Sequence, residues 1–148
     1  MSRRALAAVC VSVLATLAAG CGGGGSSAPS ASDFVRRVTI EFSRGQAGRL
    51  WDELHPADQS VVTRARFIAC QKNEGFGLRK FKVLETYDET VEVAGTSEQS
   101  TAVSVQVTSD DGITTATLHA VLVAGKWRWI LQPADYAAYK RGACPSSG

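Results

Sequence analysis

The stretch Ser100–Leu131, STAVSVQVTSDDGITTATLHAVLVAGKWRWIL, changes side at every second residue. Val103, Val105 and Val107 fall on one face, Ser104 and Gln106 on the other. That period of two is the mark of a half-buried strand. Asp110-Asp111-Gly112 interrupts the pattern as a hairpin turn. A second strand follows, with Ala116, Leu118, Ala120 and Leu122 together, and Gly125-Lys126 turns the chain again. Trp127, Trp129 and Leu131 then share a face. The run Lys80–Gly95, KFKVLETYDETVEVAG, alternates too and puts Phe81, Val83, Glu85 and Tyr87 on one side. The second half of the chain is therefore expected to be an antiparallel sheet.

Further upstream the period is 3.6. In Ser32–Gly45, SDFVRRVTIEFSRG, Phe34, Val38 and Phe42 recur every fourth residue, with Ser32 as the expected N-cap and Gly45 as the stop. Gln46–Pro56, QAGRLWDELHP, places Ala47, Leu50, Trp51 and Leu54 on a helical stripe. Pro56 ends it and is suited to open the next short turn. Thr63–Gly75 is a third helical segment, capped by Thr63, with Phe67 and Cys70 on one side. After the strands, Pro133–Pro145 reads as a short helix carrying Tyr136 and Tyr139 and delivering Cys144 to Cys70. Helices must cover one face of such a sheet. The expected fold is α+β, N-terminal helices packed on a curved antiparallel sheet, cystatin-like or cone-like, with one disulfide.

The domain occupies residues 33–148, enough for one core. Arg3 and Arg4 precede a charge-free apolar run, residues 5–20, ending in small residues. A basic head, a short apolar stretch and a small-residue end describe a secretory signal peptide, residues 1–20. The run is shorter than the roughly 18–20 apolar residues that cross a bilayer. Gly22–Gly25 and the serines after it have little to bury, so residues 21–32 read as a flexible tether. The full chain holds 16 Lys+Arg against 14 Asp+Glu; without the leader the basic count falls to 14 and the balance is neutral. A neutral domain without a basic stripe has no nucleic-acid footprint. Cys70 and Cys144 are the even pair left to an exported chain and read as a disulfide. With His55 and His119 they lack zinc spacing, and no motif for another metal or for a cofactor is present.

Leu17-Ala18-Ala19-Gly20-Cys21 resembles the lipobox of bacterial lipoproteins, although Ala18 stands where that motif prefers Leu. The resemblance implies diacylglycerol on Cys21, and so a lipid anchor on the extracytoplasmic face of the cell membrane. The stretches LWDELHPADQ (50–59), RFIACQ (66–71) and WRWIL (127–131) resemble small secreted lipoproteins of the nuclear-transport-factor-two-like superfamily. That fold hosts enzymes, binders and interaction modules alike. The expected function is accordingly a membrane-anchored, non-catalytic module for an envelope protein or a small apolar ligand.

The alternative is a small-molecule isomerase, cyclase or hydrolase working in a pocket of the cone. The isomerase and cyclase branches that the fold resembles imply Glu85 as a general base beside the Tyr87 hydroxyl; the competing reading is a solvated rim carboxylate. His119 as a catalytic imidazole would need a carboxylate partner, which the neighbouring sequence does not supply; otherwise it is a polar residue on the open face of a sheet. His55, before Pro56, reads as a helix-boundary residue. Trp51, Tyr87, Trp127 and Trp129 are the expected pocket-lining aromatics, with core packing as the competing role of the tryptophans.

Overall fold

The computed structural model describes residues 29–72 and 75–146. The expected leader, the lipidation at Cys21 and residues 22–28 of the expected tether lie outside them. Helices α1 (Ala31–Ser43), α2 (Ala47–Glu53), α3 (Pro56–Gln59) and α4 (Arg64–Cys70) precede the strands β1 (Lys80–Val93), β2 (Thr96–Ser109), β3 (Gly112–Val123) and β4 (Lys126–Trp129), and α5 (Pro133–Lys140) follows. The strands form one curved antiparallel sheet in sequence order. The α+β class and the helix-then-sheet order are as the periodicities foretell, and the Cys70–Cys144 disulfide is as the cysteine count foretells.

Local chemistry explains the helix ends. Ser30, not Ser32, caps α1: its side chain accepts from Asp33 N at 3.1 Å, while Ser32 Oγ lies 3.3 Å from Thr86 Oγ1 of β1. The sequence offers serines at both positions, and the helix takes the one three residues before an acidic first-turn residue. Gly45, at φ 63°, closes α1 in the left-handed region. Pro56 begins α3, and His55 is its cap: Nδ1 accepts from Ala57 N at 3.2 Å. Thr63 caps α4, accepting from Arg66 N at 3.3 Å.

The long hairpin β1–β2 carries one irregularity. Val83 pairs with Val105, yet Glu85 pairs with the very next residue, Ser104, so Leu84 is an extra residue in β1. A bulge inverts the facing of every side chain beyond it. Phe81 and Val83 face the helices; Glu85 and Tyr87 face the other way. The shared face expected for these four residues is therefore corrected. The turns also shift by a residue. Ala94-Gly95 and Ala124-Gly125 are two-residue turns with both residues at positive φ, 51° and 86°, then 48° and 76°.

The core lies between α1, α2, α4 and the sheet. Phe34, Val35, Val38, Leu50, Leu54 and Phe67 meet Val103, Val105, Ala120 and Trp129, all buried. Leu54 forms a parallel bridge to Trp129, and His55 N donates to Trp129 O at 2.9 Å, so the α2–α3 link extends the sheet edge beyond β4. Cys70 and Cys144 are bonded across 74 residues with Cα atoms 5.4 Å apart, which ties α4 to the segment after α5.

Candidate functional site

The helices do not cover the whole concave face. Toward the β2–β3 turn the layers part and leave an open cavity of about 370 Å³. Thr39 and Phe42 of α1 form one wall and Phe76, from the link before β1, another. The floor is the sheet: Val105 and Val107 of β2, then Thr114, Ala116 and Leu118 of β3. Ser109 and Asp111 stand at the turn. The volume lies within the range of small-ligand pockets. The walls are apolar, since the Thr39 hydroxyl is spent on Val35 O at 2.9 Å. Among the described residues, Asp111 is the one charged residue lining the cavity.

The other end of the cone is plugged. Trp129 packs its ring edge-on to Phe42, centroids 5.4 Å apart, and lies 6.1 Å from Phe67, which in turn lies 6.0 Å from Tyr139. Its indole N–H donates to Leu50 O at 2.7 Å, satisfying the polar atom of a buried ring. Trp51 is half-buried and donates to Val62 O at 3.2 Å. Trp127 donates to Pro29 O at 2.7 Å and borders a polar groove with Arg37, Glu53 and Lys126. Of the four aromatic residues expected to line a pocket, Trp51, Tyr87, Trp127 and Trp129, the apolar cavity touches none.

Glu85, Tyr87 and His119 do come together, but on the opposite face of the sheet. Tyr87 pairs with Ala102, which pairs with His119; Glu85 pairs with Ser104 one step along. Glu89 joins them, its Oε1 3.2 Å from His119 Nδ1, close in charge but not aligned as a hydrogen bond. This is the carboxylate that the sequence near His119 lacks; it lies on a strand two places over in the sheet. Glu85 and Tyr87 are exposed. His119 also borders a smaller cavity of about 160 Å³ beside Phe42, Trp129 and Gln132.

A second polar cluster holds the plugged end together. His55 Nε2 lies 3.2 Å from Glu98 Oε2. Asp58 is buried and its Oδ2 accepts from Leu131 N at 2.9 Å. Burial raises the Asp58 carboxyl above its ordinary range, against the pull of the Leu131 amide and of His55. Among the described residues no group of three or more His, Cys, Asp or Glu is placed to hold a metal ion. No helix among them is long and apolar enough to cross a membrane.

Sequence reasoning missed the cavity walls Thr39, Phe42 and Phe76 as ligand-facing residues. Phe42 was legible as part of the α1 stripe, though not as the residue dividing plug from cavity. Phe76 lies in an irregular link, where no periodicity assigns a face.

The chain matches no family model and no curated protein. It is similar in structure to a Campylobacter jejuni protein described as an NTF2-like transpeptidase, with a TM-score of 0.53 at 10% identity, over 70% of this chain and 100% of that one. The likeness gives the fold: the domain is an NTF2-like α+β cone. The activity in that description stays with the Campylobacter protein.

Proposed function

We propose that this chain is an extracytoplasmic lipoprotein, anchored through Cys21, whose domain binds a small apolar ligand without transforming it. The observation that carries the binding reading is the open apolar cavity of about 370 Å³ between α1 and the sheet. Transfer of apolar surface into such a cavity contributes about 25 cal/mol per Å². Catalysis needs a titratable group within reach of the bound molecule. Glu85, Tyr87 and His119 are across the sheet from this cavity, and Asp111, the titratable residue that does line it, stands exposed to solvent beside the turn with no acid or base partner from that trio. The lipid anchor rests on the sequence Ala18-Ala19-Gly20-Cys21 after a basic, apolar leader. A thiolate is the nucleophile that accepts such a group, and two or more acyl chains hold where one does not.

Two measurements test the two halves. Cys21→Ala moves the protein from the membrane fraction to the soluble fraction; a variant that stays with the membrane contradicts the anchor. Gentle isolation followed by organic extraction and mass analysis recovers a small apolar compound bound to the wild type. Loss of that compound in Ala116→Phe, which fills the cavity floor, places it there. Equal recovery from both proteins contradicts the binding reading.

A further inference from the structure

The β2–β3 turn carries two adjacent aspartates with opposite fates. Asp110 is engaged: Arg79 Nε donates to its Oδ1 at 2.5 Å, and Asp110 N donates to Gly77 O at 3.2 Å. Gly77 leaves the room for that carboxylate, since a Cβ there would collide with Asp110 Oδ2. Asp111 has no basic partner among the described residues. Its backbone N–H is held by Ser109 Oγ at 3.2 Å, and it stands at the mouth of the apolar cavity. Arg79, the basic residue that reaches this turn, is already occupied by Asp110. An anion thus faces the entrance of a chamber whose walls offer Phe42, Phe76, Val105, Val107 and Leu118.

We infer that the ligand is an amphiphile with a compact apolar body and a cationic amine head, the body in the cavity and the ammonium on Asp111. This rests on the apolar-ligand reading above and narrows it. A volume of about 370 Å³ lies at the small end of ligand pockets, about 300–1,000 Å³, which suits a compact apolar body. An ammonium at the mouth keeps part of its hydration while it faces the carboxylate. A carboxylate head in the same place would meet a like charge. Asp111 is exposed, so its contribution is that of a rim ion pair, roughly threefold to fivefold in affinity.

Three probes of matched size separate body from head: 4-phenylbutylammonium, 4-phenylbutanol and 4-phenylbutyrate. Each is titrated calorimetrically at pH 7 into the native chain held in zwitterionic nanodiscs, with empty discs as the blank. The ammonium binds about threefold to fivefold tighter than the alcohol, and the carboxylate binds weakest. In Asp111→Asn the preference for the ammonium falls to near unity and weakens with added salt no further. In Asp110→Asn it persists. Equal affinity for ammonium and alcohol in the wild type, or a preference that survives Asp111→Asn, overturns the cationic head and leaves the apolar cavity standing. Failure of all three probes to bind overturns both readings.

Discussion

The two ends of the cone use the same strands to opposite effect. At one end Trp129 of β4 fills the space between sheet and helices, with Phe42, Phe67 and Tyr139 stacked behind it in a chain of tilted ring contacts. At the other end β2 and β3 present Val107, Thr114 and Ala116 to a cavity of about 370 Å³. The difference follows from strand length. β4 pairs with β3 only from Ala120 to Val123. The sheet is four strands wide over the plug and three strands wide over the cavity. Where the fourth strand is present it supplies an aromatic; where it stops, Ala116 and Thr114 leave a gap. One fold thus holds a rigid, satisfied core beside a space that its own side chains do not fill.

The contrast is sharpest in the cost of truncation. Trp129→Ala removes a buried indole and orphans Leu50 O, and lowers stability by about 3–5 kcal/mol. Leu118→Ala, at the boundary of the open end, costs roughly 1–1.5 kcal/mol, since its side chain is only partly buried. Chemical denaturation of both variants measures the gap. Equal losses would mean that the two ends are packed alike.

The plugged end also carries a buried carboxyl, Asp58. Burial raises the Asp58 carboxyl from its ordinary 3.8. A raised native value means that this group contributes most at low pH and that the contribution is lost as pH climbs through the native value. Asp58→Asn keeps an acceptor for Leu131 N and removes the ionisation. Its stability therefore gains on that of the wild type as pH rises above the ordinary carboxylate value, about 4. Denaturant melts at a series of pH values read this directly. A difference that is flat with pH would mean that the carboxyl is not desolvated.

The smallest effect lies in the hairpin turns. Ala94 and Ala124 occupy left-handed positions, φ 51° and 48°, in their hairpin turns. Asn tolerates that region better than Ala. Ala94→Asn is expected to raise stability by about 0.5–1 kcal/mol, leaving the contrast between the ends unchanged. Thermal melting of this variant checks the gain, at a position that lines no wall of the apolar cavity.

Much of this architecture was legible in the residues. The switch of period between Cys70 and Lys80 divides helices from sheet. Asp110-Asp111-Gly112 marks the central hairpin, and Thr63, Pro56 and Gly45 punctuate the helices where the structure does. The disulfide followed from counting cysteines. What escaped was set by three-dimensional register. The bulge at Leu84 has no Gly or Pro to announce it, and it alone moves Glu85 and Tyr87 off the concave face. Glu89 comes to His119, and Glu98 to His55, only through strand pairing and chain return, which local spacing does not encode. The cavity depends on where β4 ends, and Ile130-Leu131 continue the apolar pattern past that end without signalling the stop.

The account turns on a chamber at the three-stranded end of the sheet that admits an apolar body. Methyl-resolved NMR of the native chain during titration with 4-phenylbutanol tests it most directly. The predicted result is saturable shifts at Ala116, Leu118, Val105 and Val107, with Leu54 and Ala120 beside Trp129 unmoved. Shifts scattered over the surface, or centred on Ala102 between Tyr87 and His119 across the sheet, would contradict it.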